Sequence, residues 1–220
     1  MNKLYLVRHG ENPANLTKEF SCRKVDYSLT PKGRLQAGQT ADYFCLLSID
    51  AIYSSPLKRA VETATIIAGP MGLAVNVLEN LREIDVGDLE GMPPTQETWS
   101  LHNRILMRWM SGDTQVSFPG GEDLPSAQER MRQGVELALL GRQEQSIIMV
   151  GHGGLFTITL AHLCPQVDLF SLLGKENHNC SITEIDVSLV GGKLVGSLIR
   201  WADFSHLHGQ AADLVSGFME

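Results

Sequence analysis

"KLYLVRHGEN", residues 3 to 12, runs five residues of strand character straight into Arg-His-Gly-Glu, with no turn residue between them. The run 3–7 is short, apolar and rich in strand formers, which is the pattern of a buried strand. Its end carries a cation and an imidazole side by side, Arg8 and His9. Working outward, "SLTPKGRLQAGQTADYFCLL" (28–47) has a Thr-Pro start and apolar positions at helical spacing, predicting a helix from about residue 31. "DAIYSS" (50–55) reads as a second strand. The helix after it has Ser55 as its expected N-cap, Pro56 at its first position and Gly69 as its stop. "LAVNVLENL" (73–81) is a third extended segment and "SIIMV" (146–150) a fourth. The fourth is preceded by a helical stretch from residue 124 and followed by the helical "GHGGLFTITLAHLC"; "NCSITEIDVS" and "KLVGSLIRWA" suggest two strands near the end. Strands alternating with helices predict an α/β fold with a largely parallel sheet covered on both faces.

Residues 85 to 125 break the alternation. They are turn-rich at both ends, with one amphipathic helix over roughly 95–110. The segment reads as a cap insertion in one domain spanning 1–220, without a core of its own. If the cap covers a site, His102, Arg104 and Arg108 are placed for substrate contact, whereas Trp99, Met107 and Trp109 read as packing.

Composition narrows the classes. Hydrophobic content of 43% supports a sizeable core, and the formal charge of −7 disfavours a nucleic-acid partner. No stretch of about eighteen apolar residues is present, so no membrane span is expected, and no signal-peptide pattern opens the chain. The cysteines Cys22, Cys45, Cys164 and Cys180 form no CxxC pair, which points to reduced thiols and a cytoplasmic protein.

Arg8 and His9, Arg59, Glu83 and His152 each follow an expected strand by a few residues. In an open α/β sheet the carboxyl ends of the strands share an edge, and ligands bind there. Four segments therefore bring two His, two Arg and one Glu to one crevice. Gly153, beside His152 in "VGHGG", permits close approach of the backbone to a ligand. Paired guanidiniums match phosphate oxygens bidentately. The spacings for a zinc site, a GxSxG serine and a P-loop are all missing, so no metal is expected. What remains is a histidine nucleophile, with Arg and a second His stabilising the phosphoryl oxygens and Glu83 as proton donor.

The stretches "LVRHGENPANL", "SLTPKGRLQA", "IYSSPLKRAVETA", "LREIDVGDLEG", "FPGGED", "IIMVGHGG", "NCSITEI" and "DFSHL" resemble the histidine phosphatase superfamily, also called phosphoglycerate mutase-like. They run in family order from residue 4 to about 207. The resemblance implies a three-layer α/β/α sandwich with a mostly parallel mixed sheet. It also implies a phosphorylated His9, a phosphate pocket of Arg8, Arg59 and His152 with Asn15 as a further contact, and Glu83 as the acid. No cofactor is implied, and a homodimer is common among such proteins. One stretch departs from the pattern: in "FSCRKVDYSL", Cys22 and Arg23 stand where relatives carry Gln-Gly. Arg23 is then either a further cation for a carboxylated or doubly phosphorylated substrate, or a solvated surface residue.

The resemblance favours the phosphatase branch, a metal-independent phosphomonoesterase acting on a small phosphorylated metabolite. "EIDVGDLEGM" has the Glu-Gly of that branch and lacks the Tyr-Gly that follows the acid in mutases. A phosphoglycerate mutase-type phosphotransferase is the first alternative, and a non-catalytic phosphate-binding module or a phosphate relay the others. Activity is expected to peak on the mildly acidic side of neutral, between the titrations of Glu83 and His9.

Overall fold

Leu4 and Leu6 point to one side of the first strand, Tyr5 and Val7 to the other, and this alternation divides the core in two. The computed structural model describes residues 1–172 and 175–215. Strand β1 (Asn2–Arg8) lies in a six-stranded sheet with β2 (Ala51–Ser54), β3 (Val75–Val77), β4 (Ser146–Gly151), β5 (Ile182–Val190) and β6 (Lys193–Asp203). The order is β3-β2-β4-β1-β5-β6. Pairs β3–β2, β2–β4 and β4–β1 are parallel; β5 runs antiparallel to both β1 and β6. The sheet is mixed and mostly parallel, as expected.

Six helices accompany it: α1 (Pro13–Thr17), α2 (Pro31–Phe44), α3 (Lys58–Ala68), α4 (Gln96–Met110), α5 (Leu124–Leu139) and α6 (Gly153–Leu163). Phe44 of α2 and Ala60, Ala64 and Ile67 of α3 pack on Tyr5, Val7, Ile52, Ile148 and Val150. On the opposite face, residues of α5 and α6 pack on Leu4, Leu6, Tyr53, Ile147 and Met149. The central strands are apolar on both faces because helices cover both. The segment 85–125 joins this second face: Ile105, Trp109 and Phe118 are buried in the same cluster, with the Trp109 and Phe118 rings 5.3 Å apart.

Three local expectations are corrected. The N-cap of α3 is Leu57, not Ser55, and no side chain of its own segment caps it; Asp26 Oδ1 accepts from Lys58 N at 2.8 Å instead. Pro56 lies before α3, whose first residue is Lys58, while Gly69 is its C-cap as expected, the chain then passing through a 3₁₀ turn over Gly69–Met71 to Gly72, the residue in left-handed conformation. Finally, 73–81 is a strand only over Val75–Val77, because the chain turns through Glu79–Leu81 to bury Leu81 and re-aim the segment carrying Glu83.

Candidate active site

The end of β1 is anchored on both sides. His9 N donates to Gly151 O at 2.9 Å and Arg8 N to Ser181 O at 3.2 Å, so the loop sits between the ends of β4 and β5. Gly10 N donates to Thr63 Oγ1 at 3.0 Å, which ties it to α3. A Cβ on Gly33 would stand 2.1 Å from Glu11 O, so the start of α2 can press on the loop only as glycine. Asn179 Nδ2 donates to His9 O at 2.9 Å and to Asn15 Oδ1 at 3.1 Å.

His9 is buried, and its Nδ1 lies 2.8 Å from Gly10 O. A carbonyl only accepts, so Nδ1 carries the proton and Nε2 keeps its lone pair. Burial, then the charges of Arg59 and Arg8, push the His9 pKa well below the usual imidazole range; the Gly10 bond opposes them and loses. His9 is therefore neutral at pH 7, the form a nucleophile requires.

Both guanidiniums are held by neutral partners. Arg8 Nη1 donates to Asn177 O. Arg59 donates to Ser21 Oγ at 2.9 Å, Ser21 O at 2.7 Å and His152 Nδ1 at 3.1 Å. The Nε–H of each is buried without a hydrogen-bond partner among the described residues. Burial lowers the pKa of both, that of Arg59 to about 10; a guanidinium is basic enough to keep its charge in proteins. One buried and one half-buried cation beside a neutral imidazole make a region that a phosphate dianion would compensate.

His152 stands one layer behind. It is fully buried, its ring centroid is 5.2 Å from that of His9, and it is not part of the cavity wall. Its Nδ1 accepts from Arg59, so the proton sits on Nε2, which donates to Ser55 Oγ at 2.7 Å. Burial first, then Arg59, His9 and Arg8, push its pKa well below the usual range. Ser55, expected as a helix cap, orients this imidazole instead.

Glu83 faces the start of α6. Its Oε1 accepts from Leu155 N at 2.7 Å and Ile84 N at 2.9 Å, its Oε2 from Gly154 N at 3.2 Å. The free N–H groups at the start of the helix thus fix the position of the carboxyl group. A Cβ on Gly154 would come 2.8 Å from Glu83 Oε1. Behind it, Arg130 donates from Nη1 to Asn80 O and Arg82 O at 2.8 and 2.7 Å and pairs with Glu122 at 2.6 Å, which fixes the backbone leading to Glu83.

A cavity of about 460 Å³ collects these groups: Arg8, His9, Asn15, Cys22, Arg59, Glu83 and Gly153 all line it. Cys22 contributes as a neutral thiol, its pKa pushed up to about 12 by burial. Arg23 does not reach this cavity. It is largely exposed, and its Nε pairs with Asp85 Oδ2 at 2.6 Å, so the ion pair holds it away from the anion site. Of the cap residues, His102 lines the cavity, Arg104 does not, and Arg108 pairs with Asp113. Met107 lines it too, contrary to its reading as packing; Trp99 lines it and also packs against the core as read, its ring 4.6 Å from that of Phe20, and Trp109 packs in the core.

A sequence model of the histidine phosphatase superfamily (branch 1) matches residues 4–197. The chain belongs to that superfamily. It is 33% identical over 188 residues to a Hydrogenobacter thermophilus protein provisionally named phosphoserine phosphatase 2, across 84% of this chain and 89% of that protein. It is 32% identical over 222 residues to the provisionally named phosphoglycerate mutase GpmB of Salmonella choleraesuis, covering 97% and 98%. Among solved structures, a mutant phosphoserine phosphatase from Entamoeba histolytica in complex with phosphoserine superposes with a TM-score of 0.76 at 28% identity, over 94% of this chain and 100% of that one. The α/β fold with its mixed sheet is that of the histidine phosphatases.

Sequence reasoning missed three supporting residues of this site. Ser21 clamps Arg59 through both its hydroxyl and its carbonyl, Asn179 bridges His9 and Asn15, and Arg130 braces the Glu83 segment. Asn179 had a signal, since it opens "NCSITEI". Ser21 and Arg130 had none, because Ser21 meets the guanidinium of Arg59 and Arg130 meets the carbonyls of Asn80 and Arg82, all distant in sequence.

Proposed function

We propose that the protein is a metal-independent phosphomonoesterase working through a phosphohistidine on His9. The observation that carries this reading is the fixed tautomer of His9, neutral and with Nε2 free, between two guanidiniums held by neutral partners. Nε2 attacks phosphorus, the phosphorus–oxygen bond to the alcohol breaks, and Glu83 gives its proton to the leaving alkoxide. Oε2, which accepts one N–H bond against two at Oε1, is the oxygen with room for that proton. Water then attacks the phosphohistidine and returns a proton to Glu83, releasing phosphate and regenerating His9. Arg8 and Arg59 hold the equatorial oxygens throughout, Asn15 and the backbone at Gly153 complete the wall, and His152 orients Arg59. The similarity to a phosphoserine phosphatase supports hydrolysis.

The GpmB similarity favours a second reading, in which the same phosphohistidine returns its phosphoryl group to a sugar-acid hydroxyl. Phosphate release from a panel of phosphomonoesters in EDTA, with His9→Ala alongside and 3-phosphoglycerate checked for isomerisation, decides between them. Release that vanishes in the variant is the expected result. Isomerisation without release selects the mutase, and no turnover of either kind contradicts both.

A further inference from the structure

The cavity is far larger than a phosphate pocket, and its two ends differ in kind. One end holds Arg8, His9, Arg59 and Glu83. The other is walled largely by α4, whose lining positions 99, 102, 103, 106, 107 and 110 follow the spacing of a single helical face. Ile105 and Trp109, which flank this stripe, enter the core, and Trp99 and Leu106 of the stripe pack partly against it, leaving Met107 and Met110 as its apolar lining residues outside the core cluster. Met107 is about half exposed there, an apolar group held open to solvent inside a concave site. Ile158 of α6, together with Leu169 and Leu172 from the 3₁₀ turn Leu169–Leu172, continues the apolar wall. None of these three elements contributes an acidic residue, a lysine or an arginine to the lining. His102, the one ionisable group on the stripe, has its pKa pushed down by burial, which keeps it neutral. Charged lining residues outside the catalytic set come from Lys18–Glu19 and Lys175–Glu176, where each cation has a carboxylate as its chain neighbour.

Resting on the phosphomonoesterase reading, we infer that the substrate is the phosphate ester of a large, mainly apolar alcohol, with its hydrocarbon part lying against Leu106, Met107, Met110, Ile158, Leu169 and Leu172. A phosphorylated three-carbon acid would leave this wall unfilled and would turn a carboxylate toward it, where no guanidinium or ammonium of those elements receives it. Methionine suits such a wall because its unbranched thioether adapts to irregular apolar shapes.

The test is a series of straight-chain alkyl monophosphates from ethyl to octyl, with phosphoserine and 3-phosphoglycerate for comparison. All the alkyl leaving groups are primary alcohols of similar acidity, so differences in kcat/KM report binding of the chain and not the chemical step. The expected result is a rise of about fourfold per added methylene until the chamber is filled, and phosphoserine well below the octyl ester. Met110→Asp and Ile158→Asp should each flatten that rise. A flat series, or phosphoserine or 3-phosphoglycerate preferred over every alkyl ester, overturns the inference while leaving the phosphatase standing. If no ester is hydrolysed the phosphatase reading fails, and calorimetry with alkylphosphonates still decides the chamber. Tighter binding of octylphosphonate than of methylphosphonate supports it, and equal binding overturns it.

Discussion

His9 and Glu83 divide the proposed chemistry between a group kept neutral by burial and a group held at a helix N-terminus. Their separate tasks make separate predictions. Glu83→Gln keeps an acceptor for the N–H groups of α6 but removes the proton donor. It should lower kcat about 10²–10⁴-fold on alkyl phosphates. On p-nitrophenyl phosphate, whose leaving group needs little protonation, the loss should be much smaller; equal losses on both substrates would remove Glu83 from the acid role. Gly154 is a more local probe of the same carboxylate. A methyl group there would stand 2.8 Å from Oε1, so Gly154→Ala should displace Glu83 and reduce kcat on alkyl phosphates, with little effect on the nitrophenyl ester. That Arg8, His9, Arg59, Glu83 and His152 come together was legible because each follows a strand. That His152 works from behind Arg59 was not legible, because it depends on which ring nitrogen meets which neighbour.

At the scale of elements, the loop 21–25 is shaped by one carboxylate. Glu90 Oε1 accepts from the backbone N–H of Cys22, Arg23, Lys24 and Val25 at 2.7, 2.8, 3.0 and 3.1 Å. Burial pushes the Glu90 pKa up, and the four donors outweigh it, leaving the carboxyl below its usual range. This nest sets the position of Ser21, which holds Arg59. Glu90→Ala strands four N–H groups and should cost about 3 kcal/mol of stability. KM for phosphate esters should rise more than kcat falls, because the clamp and not the nucleophile is disturbed. Thermal unfolding together with steady-state kinetics checks both, and an unchanged KM would uncouple Glu90 from the site. Here lies the physical account of the departure at Cys22 and Arg23: without the expected Gly, successive N–H groups still converge, but on a protein carboxylate. Nothing in "FSCRKVDYSL" announces this, since the partner lies more than sixty residues away. Likewise the periodicity of 95–110 revealed a helix but not which face meets the core and which the cavity.

For the whole molecule, burying two neutral imidazoles has a cost that depends on pH. His9 and His152 both have folded-state pKa values well below 6.5. Below about pH 6.5 the unfolded chain takes up protons that the folded chain refuses. The stability tied to their neutral forms is therefore complete above that pH and is lost as pH falls toward the folded values. Denaturant midpoints should be flat from pH 8 to 7 and should decline below about 6.5. Replacing His152 with Gln should make the decline shallower, and an unchanged slope would mean that this imidazole is not held neutral. The acid limb of kcat/KM should also lie below about 6.5, in line with the mildly acidic optimum expected from the sequence. The mostly parallel sheet and the helical layers on both its faces were legible at this scale, because strand and helix periods alternate along the chain, but the strand order was not. The chamber beside the anion site was not, since it arises from the packing of three separate segments.

The proposal as a whole depends on one covalent bond. Wild-type protein and His9→Ala should be mixed with a good substrate, quenched in denaturant at alkaline pH within milliseconds, and analysed by intact mass and peptide mapping. The predicted result is one phosphoryl group on wild-type protein, located at His9, lost on acid treatment and missing from the variant. Turnover without any phosphorylated protein, or a phosphoryl group mapped to a residue other than His9, would contradict it.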